Sequence, residues 1–169
     1  MNFCNNQFHG FSFFASVLNR QPHSYADIKG SEEYPDIRGQ VRFFQTKYGT
    51  LVATEVFGLP REYRDCQDAI FAYHIHEGNV CAGNCIDPFG QAMSHYNPKM
   101  CDHPYHAGDL PPLFGNNGYA FSAFLTDKFS ACEIIGRTIL IHSAADDFTS
   151  QPSGNSGARI ACGVIKKAE

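Results

Sequence analysis

Six of the chain's eight histidines fall between residues 74 and 142, and the first two, His74 and His76, flank a single isoleucine inside the apolar run FAYHIHEGN (residues 71–79). In an extended strand alternate side chains share a face, which puts these imidazoles roughly 6–7 Å apart at Cα on one side. Phe71, Tyr73 and Ile75 then point the other way, into a core. A buried imidazole without a partner costs free energy, so two on one face ask for something held in common. Taken alone, His-x-His reads equally well as two exposed surface histidines, and the rest of the chain must decide.

The segment SHYNPKMCDHPYHAGDLP (residues 94–111) adds His95, His103, His106 and Asp109. Three imidazoles and one carboxylate form a closed ligand set for zinc, and His106 and Asp109 are spaced for one tight turn across Ala-Gly. The run ILIHSAADD (residues 139–147) delivers His142 at the end of a strand. These seven donors are one short of two independent sets of four. The count closes if one histidine serves two metals through its two ring nitrogens. A structural zinc site on Cys81, Cys85, Cys101 and His103 competes with this, but Cys-x-x-x-Cys is not a usual knuckle, and it leaves His74, His76 and His142 without a role.

The frame around these residues reads as β. Fifteen Phe and eight Tyr with no Trp, interrupted by fifteen Gly and nine Pro, suit short strands joined by turns. Strands are predicted over residues 25–31, 40–46, 50–58, 69–76, 118–126, 133–142 and 158–167, with no long helical period after residue 39. Residues 77–117 and 143–157 carry no strand pattern and hold most of the candidate ligands, as functional loops do. Before the sheet, residues 1–24 form an extension with a helix predicted over 11–19, and residues 25–169 form one domain. A net charge of −4 argues against nucleic acid as a partner, and no apolar run reaches the roughly 18 residues that span a bilayer. The apolar FSFFASVL (residues 11–18) has its first cation, Arg20, after it rather than before. That is not the pattern of a secretory leader, so the cytoplasm is the expected compartment. Seven cysteines leave at least one unpaired within the chain; Cys66 and Cys132 are expected as small buried side chains.

Taken together, YHIHEG (73–78), SHYNP (94–98), HAGDLP (106–111), GRTILIHSAADD (136–147) and GNSGARIACGVI (154–165) resemble the copper/zinc superoxide dismutases, most closely the bacterial branch with short loops. The resemblance implies an all-β, eight-stranded Greek-key barrel, or sandwich, with two long functional loops, a small anionic substrate (superoxide), and copper and zinc as cofactors. It implies His74, His76, His95 and His142 as copper ligands and His95, His103, His106 and Asp109 as zinc ligands, with His95 shared. Asp146 matches the carboxylate that joins a copper histidine to a zinc histidine, and Arg159 the arginine beside copper. Arg159 and His95 are thus the implied catalytic residues. A disulfide to Cys162 is also implied; Cys81 is favoured as its partner, and Cys85 is the alternative.

Three features depart from the family's eukaryotic members. Only Pro104-Tyr105 separate His103 from His106, and residues 143–158 contain no Lys or Arg, which leaves Arg159, the metals and Lys99 to attract an anion. The disulfide position is the third. A metal-storing, non-enzymatic module of the same fold is the alternative function. Monomer and homodimer both remain open. Arg137 reads as a structural anchor, Asp147 as a turn residue, and His9 and His23 as surface residues.

Overall fold

A computed structural model describes residues 9–61 and 69–169, with side chains from residue 13 onward. One helix, α1 (His9–Leu18), precedes ten strands: β1 (Ser24–Gly30), β2 (Arg38–Thr46), β3 (Gly49–Phe57), β4 (Ile70–Phe71), β5 (Tyr73–His76), β6 (Leu113–Phe114), β7 (Tyr119–Thr126), β8 (Thr138–His142), β9 (Arg159–Val164) and β10 (Lys166–Lys167). The main antiparallel sheet runs β5-β8-β9-β1-β2-β3-β7 and curls into a half-barrel, with β10 added beside β1. The β4–β6 pair lies between its two edges, since β4 runs into β5 and a bridge from Asn116 to Tyr119 ties β6 to β7. With β4 and β5 counted as one interrupted strand and β10 set aside, eight strands follow the Greek-key order expected.

Burial explains the alternation. Val41, Phe43, Val52, Val56, Tyr73, Ile75, Ile139, Ile141 and Ile160 fill one core between the curled faces, and Thr54 Oγ1 meets the buried Tyr73 hydroxyl at 3.0 Å. The outer side of β2 and β3 is apolar too, because α1 covers it: Val17, with Phe13, Phe14 and Leu18, packs on Phe44, Leu51 and Ala53. An amphipathic segment gains most of its stability from such packing rather than from helix propensity.

Five sequence expectations shift. The strand expected over 69–76 breaks at Ala72, whose amide donates to Ala144 and whose carbonyl accepts from His142; Phe71 then pairs with β6 while Tyr73 pairs with β8. The strand expected over 133–142 begins only at Thr138, because Ile134 is buried within a turn that Gly136 completes at φ +85°. The last strand is interrupted at Ile165, whose amide and carbonyl are spent on Arg137 and Gly136. Within the loop expected over 77–117, Leu113–Phe114 forms β6, too short to announce itself by periodicity. Cys132 is exposed rather than buried, since it sits in that same turn. Cys66 lies outside the described residues.

Candidate metal centre

Strand pairing delivers the histidines. His74 and His76 lie on β5 opposite Leu140 and Thr138 of β8, and both are buried, so the exposed-pair reading fails. A register shift between Ile141 and His142 sets His142 opposite Arg159; such a bulge re-aims a side chain at a strand end. The loop after β5 folds back through bridges from His76 to His95 and from His74 to Asp109. The result is two clusters. One ligand atom each from His74, His76, His95 and His142, and one each from His95, His103, His106 and Asp109, lie within 4.8 Å of one another in their group.

His95 belongs to both. Its Nδ1 is 2.7 Å from Asp109 Oδ1 and 3.4 Å from His106 Nδ1, while its Nε2 is buried without a hydrogen-bond partner. Its ring centre is 4.1 Å from that of His74 and 4.8 Å from that of His76. One imidazole therefore presents a nitrogen to each cluster.

Around the rings, among the described residues, one nitrogen is held and the other left without a partner. His74 Nε2 donates to Asp146 Oδ2 at 2.8 Å and leaves Nδ1 unpartnered. His76 Nδ1 donates to the Met93 carbonyl at 2.9 Å and leaves Nε2 unpartnered. His142 Nδ1 faces the Gly157 carbonyl and Ser156 Oγ, and again its Nε2 is unpartnered. In the second cluster His103 Nε2 donates to Asp146 Oδ1 at 2.9 Å, so its Nδ1 lone pair is turned toward Asp109 Oδ2, 3.1 Å away. His106 Nδ1 is 3.2 Å from the same oxygen. These contacts are close to the edge, about 3.3 Å, of a tetrahedron built on zinc–ligand bonds of about 2 Å. Holding the far nitrogen fixes the tautomer and aims the lone pair inward, as metal sites require.

The electrostatics agree. Burial pushes His76 well below an imidazole's ordinary value, with His95 and His142 adding to it. Burial, then His74 and His95, drives His142 down to about 3. Burial also lowers His74, against the pull of Asp146. Asp146 and Asp109 are buried, which favours protonation, yet hydrogen bonds from His74, the Phe148 amide and His103 hold Asp146 at about 2, and His95 lowers Asp109. Neutral imidazoles and ionised carboxylates are the states that bind cations. Four buried nitrogens converging without partners fit a metal better than any core, and the mixed nitrogen–oxygen group fits zinc.

The sequence comparisons agree with this geometry. The family model for copper/zinc superoxide dismutase (SODC) matches residues 37–165. The chain belongs to the copper/zinc superoxide dismutase family. It is 33% identical to superoxide dismutase [Cu-Zn] 2 of Aquifex aeolicus, over 83% of this chain and 88% of that protein. It is 32% identical to superoxide dismutase [Cu-Zn] of Deinococcus radiodurans, over 93% and 91%. Copper and zinc are this family's cofactors, and both clusters suit them.

The dismutase fold also places the remaining residues. The disulfide joins Cys81 to Cys162, and Cys85 is free and exposed, which removes the competing thiolate zinc site. Arg159 lines a cavity of about 540 Å³ together with His76, His95 and His142. Its guanidinium donates to the carbonyls of Phe89 (2.9 Å) and Met93 (2.7 Å). Arg159 is the one Lys or Arg side chain in that lining among the described residues; Lys99 is absent from it. Arg137 donates to the Glu77 carbonyl and lies over the Tyr96 ring, as an anchor does. Asp147 is exposed and caps the amides of Thr149 and Ser150. His23 is exposed and accepts from the Gln45 amide; the side chain of His9 lies outside the described residues.

Sequence reading missed several supports. Met93 and Phe89 act through backbone carbonyls, which no side-chain pattern reveals. Gln151 grips the His103 backbone by its amide and carbonyl. Gly154, at φ +66°, lies where a Cβ would collide with Asp146 Oδ1 and His103 Nε2; the sequence marks it only as the first residue of the motif GNSGARIACGVI.

Proposed function

We propose that the chain catalyses the disproportionation of superoxide, two superoxide anions and two protons giving dioxygen and hydrogen peroxide. His74, His76, His95 and His142 hold copper in this reading, and His95, His103, His106 and Asp109 hold zinc. The carrying observation is the pair of nitrogens of His95, one facing each ligand group. When bound, copper supplies one-electron redox cycling and zinc a fixed charge without redox chemistry.

The protein's own residues supply the rest. Arg159, fixed by the Phe89 and Met93 carbonyls, orients a small anion in the cavity that His76, His95 and His142 also line; a charge held in place costs no reorganisation during reaction. His95 Nε2 is the atom that holds a proton and passes it to the product, the general-acid role suited to imidazole. Asp146 keeps His74 and His103 in fixed orientations through both its oxygens.

The relatives' names, superoxide dismutase [Cu-Zn], support this over a copper-storing module, for which an arginine beside the histidine cavity has no use. Metal analysis with a superoxide-consumption assay tests it: stoichiometric copper and zinc with fast consumption is expected, and stoichiometric copper without consumption would favour storage. Arg159→Ala is expected to lower kcat/KM with both metals retained; unchanged turnover refutes its role. The cytoplasm is the compartment we propose, a reading supported by the exposed free thiols Cys85 and Cys132, which persist best where the surroundings are reducing.

A further inference from the structure

We infer that Lys128 is a positioning residue for the zinc ligands, acting on the backbone that carries them. Its ammonium reaches three carbonyls of one loop: His106 at 3.1 Å, Pro104 at 3.4 Å and Asp109 at 3.5 Å. Two of these belong to ligand residues themselves. The inference rests on the second cluster being the zinc site.

The loop's construction explains the need. Residues 94–112 contain no strand or helix, so the backbone of His103 and His106 lacks the ladder that holds His74 and His76 on β5, and Asp109 has only an isolated bridge to His74. Polar backbone groups near the interior must find partners. Some do so locally: the His106 amide donates to Asp109 Oδ2 at 3.0 Å, and the Gly108 carbonyl accepts from the Ile75 amide of β5. Gln151 fixes His103 from the other long loop. The Pro104 and Asp109 carbonyls, together with the His106 carbonyl that also accepts from the Asp109 amide at 3.3 Å, are gathered on one ammonium, whose three donors and fixed charge suit three convergent oxygens.

Lys128 can do this because it is rooted in the barrel. It follows β7, and its own amide is capped by Thr126 Oγ1 at 3.2 Å. It borders an apolar recess of about 410 Å³ with Pro104, Leu110, Phe124 and Phe148, where a lysine stem packs while its head reaches polar groups. The contact thus links the rigid end of a strand to the turn from His106 to Asp109.

A cation near a zinc site also repels the incoming ion, so the two effects predict opposite signs. If positioning dominates, Lys128→Met weakens zinc binding about tenfold, within the range for groups that orient metal ligands. Competition against a chromophoric chelator measures this on the purified full chain, beside copper affinity and melting of the metal-free protein. The expected pattern is weaker zinc, copper affinity unchanged, little change in melting, and recovery toward wild type in Lys128→Arg. Zinc bound as tightly as in wild type, or more tightly, overturns the inference; so does equal weakening of both metals with a matching loss of metal-free stability. Failure of the wild-type protein to take zinc at His103, His106 and Asp109 is a different result: it overturns the two-metal reading and this inference with it.

Discussion

Asp87 Oδ2 lies 3.2 Å from Arg159 Nη1, so the cation lining the histidine cavity shares its charge with a carboxylate. The loop holds that carboxylate in place: Asp87 Oδ1 accepts from the Phe89 amide, and Asn84 Oδ1 accepts from the Asp87 amide. Because residues 143–158 contribute no Lys or Arg, this pair weighs on the net field at the mouth, beside the Glu77 carboxylate that also lines the cavity. Asp87 is 43% exposed at its side chain, and solvent blunts the effect. Asp87→Asn should therefore raise kcat/KM for superoxide by roughly two- to threefold at low salt and steepen its fall with ionic strength. A series of rates against salt concentration checks this; identical slopes in the variant and wild type contradict it.

Asp146 joins the two clusters, one oxygen to His74 and the other to His103. Its replacement by Ala removes the acceptor that fixes both tautomers and leaves two buried N–H groups unpaired. Removing such a partner commonly costs 10- to 100-fold in metal affinity. Asp146→Ala should lose both metals on dialysis against a moderate chelator while wild type keeps them, as read by elemental analysis. Loss confined to one metal would mean that the other ring is held by its remaining neighbours.

The same burial that prepares the imidazoles makes the metal-free protein sensitive to acid. His142 is lowered from 6.5 to about 3, and His74 and His76 are lowered as well. Below pH 6.5 the unfolded chain takes up protons at these rings while the folded protein does not, so stability falls as pH drops from 6.5 toward 3. Asp146, lowered from 3.8 to about 2, adds a further loss between those values. Thermal melts of the metal-free protein should be steady from pH 8 to 7 and then decline steeply toward pH 4. With both metals bound, the decline should begin at lower pH, because bound ions compete with protons. A flat profile in the metal-free form would place the rings in water.

What the sequence revealed follows from periodicity and spacing. His74 and His76 are legible because a strand repeats every two residues, and His106 with Asp109 because a turn closes over three. The inward direction of Phe71, Tyr73 and Ile75 follows from the same alternation. The break at Ala72 is not legible, since it arises when the chain leaves one sheet partner for another. Nor is Leu113–Phe114, whose two residues form a strand only because Ile70 and Phe71 are there to pair with. Glu133 to Gly136 reads as strand by composition, yet Ile134 finds its burial in a turn. At the site, the acceptors of Lys128 and, apart from the Asp87 carboxylate, those of Arg159 are carbonyls, which every residue has and no pattern marks.

Arg159 depends on a loop that is itself tied down. Its acceptors on Asp87, Phe89 and Met93 all follow Cys81, whose sulfur is bonded to Cys162, three residues beyond Arg159 on the same strand. The bridge spans 81 residues, and closing a loop of that length is worth about 4–5 kcal/mol through the entropy of the unfolded chain. Cys81→Ser should accordingly lower the melting temperature by about 8–20 °C, at the roughly 2–4 °C per kcal/mol typical of a domain this size. It should also lower kcat/KM more than metal loss explains, because the carbonyls that hold Arg159 become free to move. Cys85→Ser should leave both quantities unchanged, since Cys85 is exposed and unbonded. Melting curves and assays on metal-loaded samples of the two variants separate the cases; if Cys85→Ser matched Cys81→Ser, the bridge would have to exchange between the two thiols, and the single pairing described for Cys162 would be wrong.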